Sequence, residues 1–109
     1  MSGAVSHCAN PARGEAGFLI GGIAHVVRPS FAALVAAEAE IGPLLALVDR
    51  AAEGRLTLSE MAALLWHCLV PRPEALTRDA VGEALLDQGV AVALPALRMI
   101  LRQVLSGST

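Results

Sequence analysis

Aromatic side chains are nearly absent from this chain: two phenylalanines, one tryptophan and no tyrosine among 109 residues. A core must therefore come from aliphatic side chains, and with hydrophobic residues at 55% the supply is ample, much of it alanine. Alanine is the strongest helix former, so the shortage of rings points to a mostly helical interior. Lysine is missing altogether; the eight basic residues are all arginines, a bias of the kind a GC-rich genome produces and without mechanistic meaning alone. The net charge is −2 and the arginines are scattered, whereas a nucleic-acid coat needs a clustered basic surface. No uncharged apolar run approaches the ~20 residues that span a bilayer, and the start lacks the basic-then-apolar order of a secretory signal. The expectation is a cytoplasmic protein with neither nucleic acid nor membrane as partner. Of two cysteines, Cys8 falls in a tail and Cys68 in an apolar helix, which predicts a reduced pair rather than a disulfide.

At this length the chain is a single domain. Residues 1–13 mix Ser, Gly, Asn and Pro without periodicity and read as a flexible tail, leaving 14–107 as the domain. Two apolar runs, Glu15 to Ile20 and Ile23 to Arg28, flank Gly21-Gly22, the pair of glycines that a two-residue hairpin turn accepts. In that register Glu15 faces Arg28. Phe18, Ile20, Ile23 and Val27 share one face, with Leu19, Ala24 and Val26 on the other.

Everything after the hairpin reads as helix. Pro29 biases Arg28 toward an extended backbone, Ser30 caps a first helix, and Gly42 closes it. Its expected apolar stripe is Phe31, Leu34, Val35 and Ile41, with Glu38 intruding. A second helix from Pro43 to Glu53 stops at Gly54, burying Leu44, Leu47, Val48 and Ala51. Thr57 and Glu60 form a capping-box pattern for a third, with Leu58, Met61, Ala62, Leu65 and Leu69 inward and Pro71 and Pro73 beyond. Thr77 caps a fourth, whose Val81, Ala84 and Leu85 oppose the acidic strip Asp79, Glu83 and Asp87. After Gly89 a fifth helix runs to about Leu105, with Pro95 either kinking it or marking its start. Val90, Leu94, Leu97, Leu101 and Val104 form its core side; Val92, Ala96, Met99 and Gln103 form a second stripe, a candidate protein-interaction surface. The predicted fold class is α+β: an N-terminal β-hairpin followed by a compact bundle of four to five short α-helices.

Motifs for chemistry are lacking. Gly21-Gly22 has neither the spacing nor the Lys-Ser/Thr end of a phosphate loop. His7-Cys8 and His67-Cys68 do not offer two ligands at i, i+3 or i+4 spacing, so no metal and no cofactor is expected; His67 is expected at the surface near Glu60, with Cys68 packed inside. Ser59 and Ser106 have local turn and cap roles, and no catalytic residue is assigned. A lone carboxylate in an apolar stripe is more often half of an ion pair than a general base. Glu38 is therefore a structural ion-pair candidate, with Arg28 or Arg55 as partner. Trp66, at the edge of its stripe, is expected to pack in the core.

The order of these segments resembles a known family. Gly14-Glu15-Ala16 before the hairpin, Arg28-Pro29-Ser30-Phe31 with Ala33-Leu34 opening the first helix, and Glu38 with Gly42 closing it are followed by Glu53-Gly54-Arg55-Leu56. Val81-Gly82-Glu83-Ala84-Leu85 and Gly89 come last. Together they resemble the small tail proteins of gene transfer agents and phages, described as tail assembly chaperones and also as tail tube proteins. The resemblance implies a non-enzymatic role in tail morphogenesis: a chaperone that binds the tape measure protein, with tail tube subunits and a homo-oligomer as further partners. The hairpin departs from the expected pattern, being more apolar and carrying Gly-Gly in place of an Asp-Gly-type turn. The alternative is a small DNA-binding regulator, since Leu56 to Leu86 has the outline of a helix-turn-helix; the acidic strip would oppose phosphate.

Overall fold

The computed structural model describes residues 16–70 and 72–106, in the order β1 (Ala16–Ile20), β2 (Ile23–Val27), α1 (Phe31–Ile41), α2 (Leu44–Ala52), α3 (Leu58–Cys68), β3 (Leu69–Val70), α4 (Arg78–Gln88) and α5 (Val90–Ser106). The architecture is α+β, a small antiparallel sheet joined to five helices. The tail expected over 1–13, and the partner Glu15 expected for Arg28, lie outside the described residues.

Gly21 and Gly22 both take positive φ, +58° and +80°, the pairing a type I′ turn requires, and they set the register Ala16↔Val27, Phe18↔His25 and Ile20↔Ile23. Phe18, Ile20 and Val27 are buried on the expected face. His25 joins them opposite Phe18, while Ile23, beside the turn, is exposed.

The third strand was not expected. α3 ends at Cys68, and Leu69, assigned above to the helix, instead pairs with Val27 across an antiparallel ladder. Leu69 takes φ −70°, ψ 135°, and Arg28 N donates to Cys68 O at 2.7 Å, extending the contact by one rung. The helix stops before the first proline because the residue preceding a proline is already biased to extended backbone.

α3 is the central element. The capping box opens it, with Thr57 Oγ1 accepting from Glu60 N at 3.1 Å and Glu60 Oε1 accepting from Thr57 N at 2.9 Å. Ala63, Leu64, Leu65 and Cys68 are fully buried, and the helix contacts α1, α4, α5 and β2. Burial on several sides explains why Leu64 and Ala63 join the core while Leu58, expected inward, is exposed in the first turn. Arg50 ties α2 to this helix through a bidentate pair with Glu60, 2.9 Å for one arm. α4 buries Val81, Ala84 and Leu85 and exposes Asp79, Glu83 and Asp87, as its pattern predicts.

α5 runs through Pro95 as one helix. Its buried face is Ala93, Ala96, Leu97, Ile100 and Leu101, rotated from the expected one, so that Val90, Leu94 and Val104 are only half-buried. Ala93, Ala96 and Ile100 lie on this inner face, where α5 packs against α2, α3, α4 and β1.

Candidate functional site

α1 is apolar on its outward face as well as on the face it turns to the core. Ser30 caps it, its Oγ accepting from Ala33 N at 3.2 Å, and from there every residue to Ile41 is apolar except Glu38 and Glu40. Only Ala37 is buried, with Ala33, Leu34 and Ile41 half-buried beside it. At 100° per residue the opposite face carries Phe31, Ala32, Val35, Ala36 and Ala39, all exposed. Phe31, one of three aromatic side chains in the chain, is 84% exposed, and Val35 is 45% exposed. The expected stripe is thus split: Leu34 and Ile41 turn toward the core, Phe31 and Val35 toward solvent.

Both carboxylates flank this strip and both are engaged inside the molecule. Glu38, expected in a buried ion pair with an arginine, is itself exposed, and its Oε2 accepts from Leu44 N at 3.1 Å. The contact caps the first turn of α2, whose N-cap residue Pro43 makes no side-chain cap. Arg55, one of the partners proposed for it, pairs with Glu53 at 2.7 Å. On the other flank Glu40 accepts from Arg78 at 2.6 and 2.8 Å, and His67 Nε2 lies 2.9 Å from Oε1. The Arg78 guanidinium, with His67 adding to it, holds the Glu40 carboxyl at about 2. His67, expected near Glu60, is here a partner of Glu40. Trp66 packs against the core from the edge of its stripe, with the rest of its ring under two guanidinium groups, Arg72 at 4.7 Å and Arg78 at 5.5 Å from its ring centre. Such cation–π contacts hold a ring at a surface. This cluster joins residues from α1, α3 and α4 far apart in sequence, and no local pattern announces it.

Beside the exposed strip lies an open groove of about 390 Å³ between α1, the start of α2 and the end of α5. Leu34, Val35, Leu44, Leu45 and Val104 line it, with Phe31 among the lining residues. Leu45 is 61% exposed. Clusters of exposed large apolar side chains mark interaction surfaces more often than scattered single ones do.

A family model described as "Phage tail tube protein, GTA-gp10" matches residues 13–107. The chain belongs to this family. Its role is therefore in the phage tail, structural or in assembly, in company with other tail proteins. Searches of curated proteins and of solved structures find no match.

In this phage tail protein the stripe expected on α5 is not one surface. Val92 is exposed, Ala96 is 3% exposed and belongs to the core, and Met99 and Gln103 are half-buried, Met99 packing against the core. The rotation of α5 that buries Ala93 and Ile100 accounts for the difference. Among the described residues no group of three His, Cys, Asp or Glu is placed to hold a metal ion. Burial pushes the Cys68 thiol up to about 12, so this side chain stays a thiol at neutral pH. No single helix among the described residues is long and apolar enough to cross a membrane.

Proposed function

We propose that this chain is a non-enzymatic tail-assembly chaperone that binds the tape measure protein in the cytoplasm and shields it until tail tube subunits enclose it. The observation that carries this reading is the outward strip of α1, continuous with the groove beside Leu44 and Leu45. An amphipathic helix seats its apolar ridge in such a groove, with anchors at i, i+3, i+4 and i+7. The family match supplies the tail context. α1 supplies the binding face: Phe31, Ala32, Val35, Ala36 and Ala39 carry no charge, and the two carboxylates at the edges of the strip are engaged, Glu38 in the groove wall by Leu44 N and Glu40 by Arg78.

The DNA-binding alternative has α4 as its candidate recognition helix, and the exposed face of α4 carries Asp79, Glu83 and Asp87. That charge opposes phosphate. Co-expression with a tape measure protein from the same genome, followed by affinity purification, tests the proposal. A stoichiometric complex supports it; recovery of the chain alone, together with a gel shift of the adjacent promoter, would favour the regulator.

A further inference from the structure

We propose that in the absence of its tail partner a second copy of this chain covers the outward strip of α1, the two helices packing antiparallel about a two-fold axis near Val35. The strip is self-complementary. Its amino end carries a knob, the Phe31 ring, 84% exposed. Its carboxyl end carries a shallow depression lined by Val35, Glu38, Ala39, Gly42 and Pro43. Gly42 keeps that depression open: it has no side chain, and its φ of +96° closes α1 in a conformation that favours glycine.

Phe31 and Ala39 are separated by about 12 Å along the helix. A two-fold axis through the midpoint, Val35, therefore brings each Phe31 onto the Ala39 of the other copy, a ring against a methyl group. Between these ends Val35 faces the axis with Ala32 on one side of it and Glu38 on the other, and the small side chains of Ala32 and Ala39 allow the helix axes to approach within the usual 8–10 Å range. Such a contact is isologous and closes on itself, unlike a head-to-tail contact that would extend into a filament.

The charges agree with the antiparallel sense. α1 has no acidic residue in its first turn and no basic residue in its last, so neither end of its dipole is offset by its own side chains. The antiparallel arrangement sets the Glu38 carboxylate of each copy beside the amino end of the other α1, where negative charge is favoured. A parallel pair would stack Phe31 on Phe31 and Glu38 on Glu38.

This inference rests on the chaperone reading for its purpose only: the tape measure helix would displace the second copy from the same strip. Its test needs no partner. In a Cys8→Ser background, Val35→Cys places a thiol at the axis, within the span that a disulfide can bridge; Ser59→Cys, on the exposed start of α3, is the control. Under mild oxidation Val35→Cys is expected to form about ten-fold or more linked dimer than the control. Light scattering on the unmodified chain is expected to give twice the 11.2 kDa monomer mass. Ala39→Arg, which fills the depression, is expected to give the monomer mass with an unchanged circular dichroism spectrum. A monomeric unmodified chain, or cross-linking at position 35 no greater than at 59, overturns the proposal. A dimer that persists in folded Ala39→Arg overturns it as well. Failure here with retained capture of the tape measure protein would leave the chaperone reading standing, and the converse result would remove that reading alone.

Discussion

Glu40 shows how much a single surface residue does in a chain with few charges. Its carboxylate gathers groups from two other helices, and Arg78 loses its main partner if the carboxylate is removed. Its pKa is depressed in the folded state, from 4.5 to about 2. A depressed acid contributes stability that is fully present above its unfolded pKa and is lost as pH falls through its folded one. Wild type and Glu40→Gln are therefore expected to differ most in denaturation midpoint above about pH 4.5, with the gap closing as pH falls toward 2. A gap that is constant across that window contradicts the assignment. Arg50 likewise holds Glu60 below the usual carboxylate range, so Glu40→Gln removes only part of the acid sensitivity. None of this cluster was legible in the sequence, because Glu40, His67 and Arg78 share no local spacing. The capping role of Glu38 was missed for another reason: its partner is a backbone amide six positions on, and backbone amides carry no sequence signature.

At the scale of elements, what could be read were features set by local chemistry. The Gly-Gly turn fixed the hairpin register, and the caps Ser30, Thr57 and Thr77 each accept from the amide three residues on. Thr57→Ala is expected to cost about 1 kcal/mol in chemical denaturation, the usual loss for an N-cap. β3 was not legible, since two residues carry no periodicity and their pairing partner lies more than forty positions earlier. The face of α1 was misjudged because nearly every position in it is apolar, so periodicity cannot choose a side; the tertiary contacts of Ala37 and Leu34 and the tie from Glu40 to α4 choose it. The consequence is measurable. In the Ala39→Arg background, which keeps the chain monomeric, Phe31→Ala is expected to change stability by no more than about 0.5 kcal/mol, the range of surface substitutions, whereas Leu65→Ala, fully buried in α3, should cost about 2–5 kcal/mol. The rotated α5 supplies a third comparison. Ala96→Glu places a carboxylate in the core and is expected to unfold the chain, as seen by loss of the cooperative thermal transition, while Val92→Glu, on the exposed side, is expected to leave that transition in place.

For the whole molecule, the sheet and the helices enclose an ordinary aliphatic core, to which α1 contributes Ala37, while α1 carries a second apolar face outward. A chain with three aromatic residues that leaves one of them 84% exposed uses that ring for something other than its own core. The family match gives the setting, the phage tail, and the α1 strip gives the proposed means of engaging a helical partner there. The most direct measurement is affinity capture of the co-expressed tape measure protein by wild type, Val35→Asp and Ser59→Asp, each first shown to be folded by circular dichroism. A buried charge in the strip should reduce capture by Val35→Asp about ten-fold or more, while Ser59→Asp, on the exposed start of α3, should capture as wild type does. Equal capture by folded Val35→Asp and wild type would contradict the account.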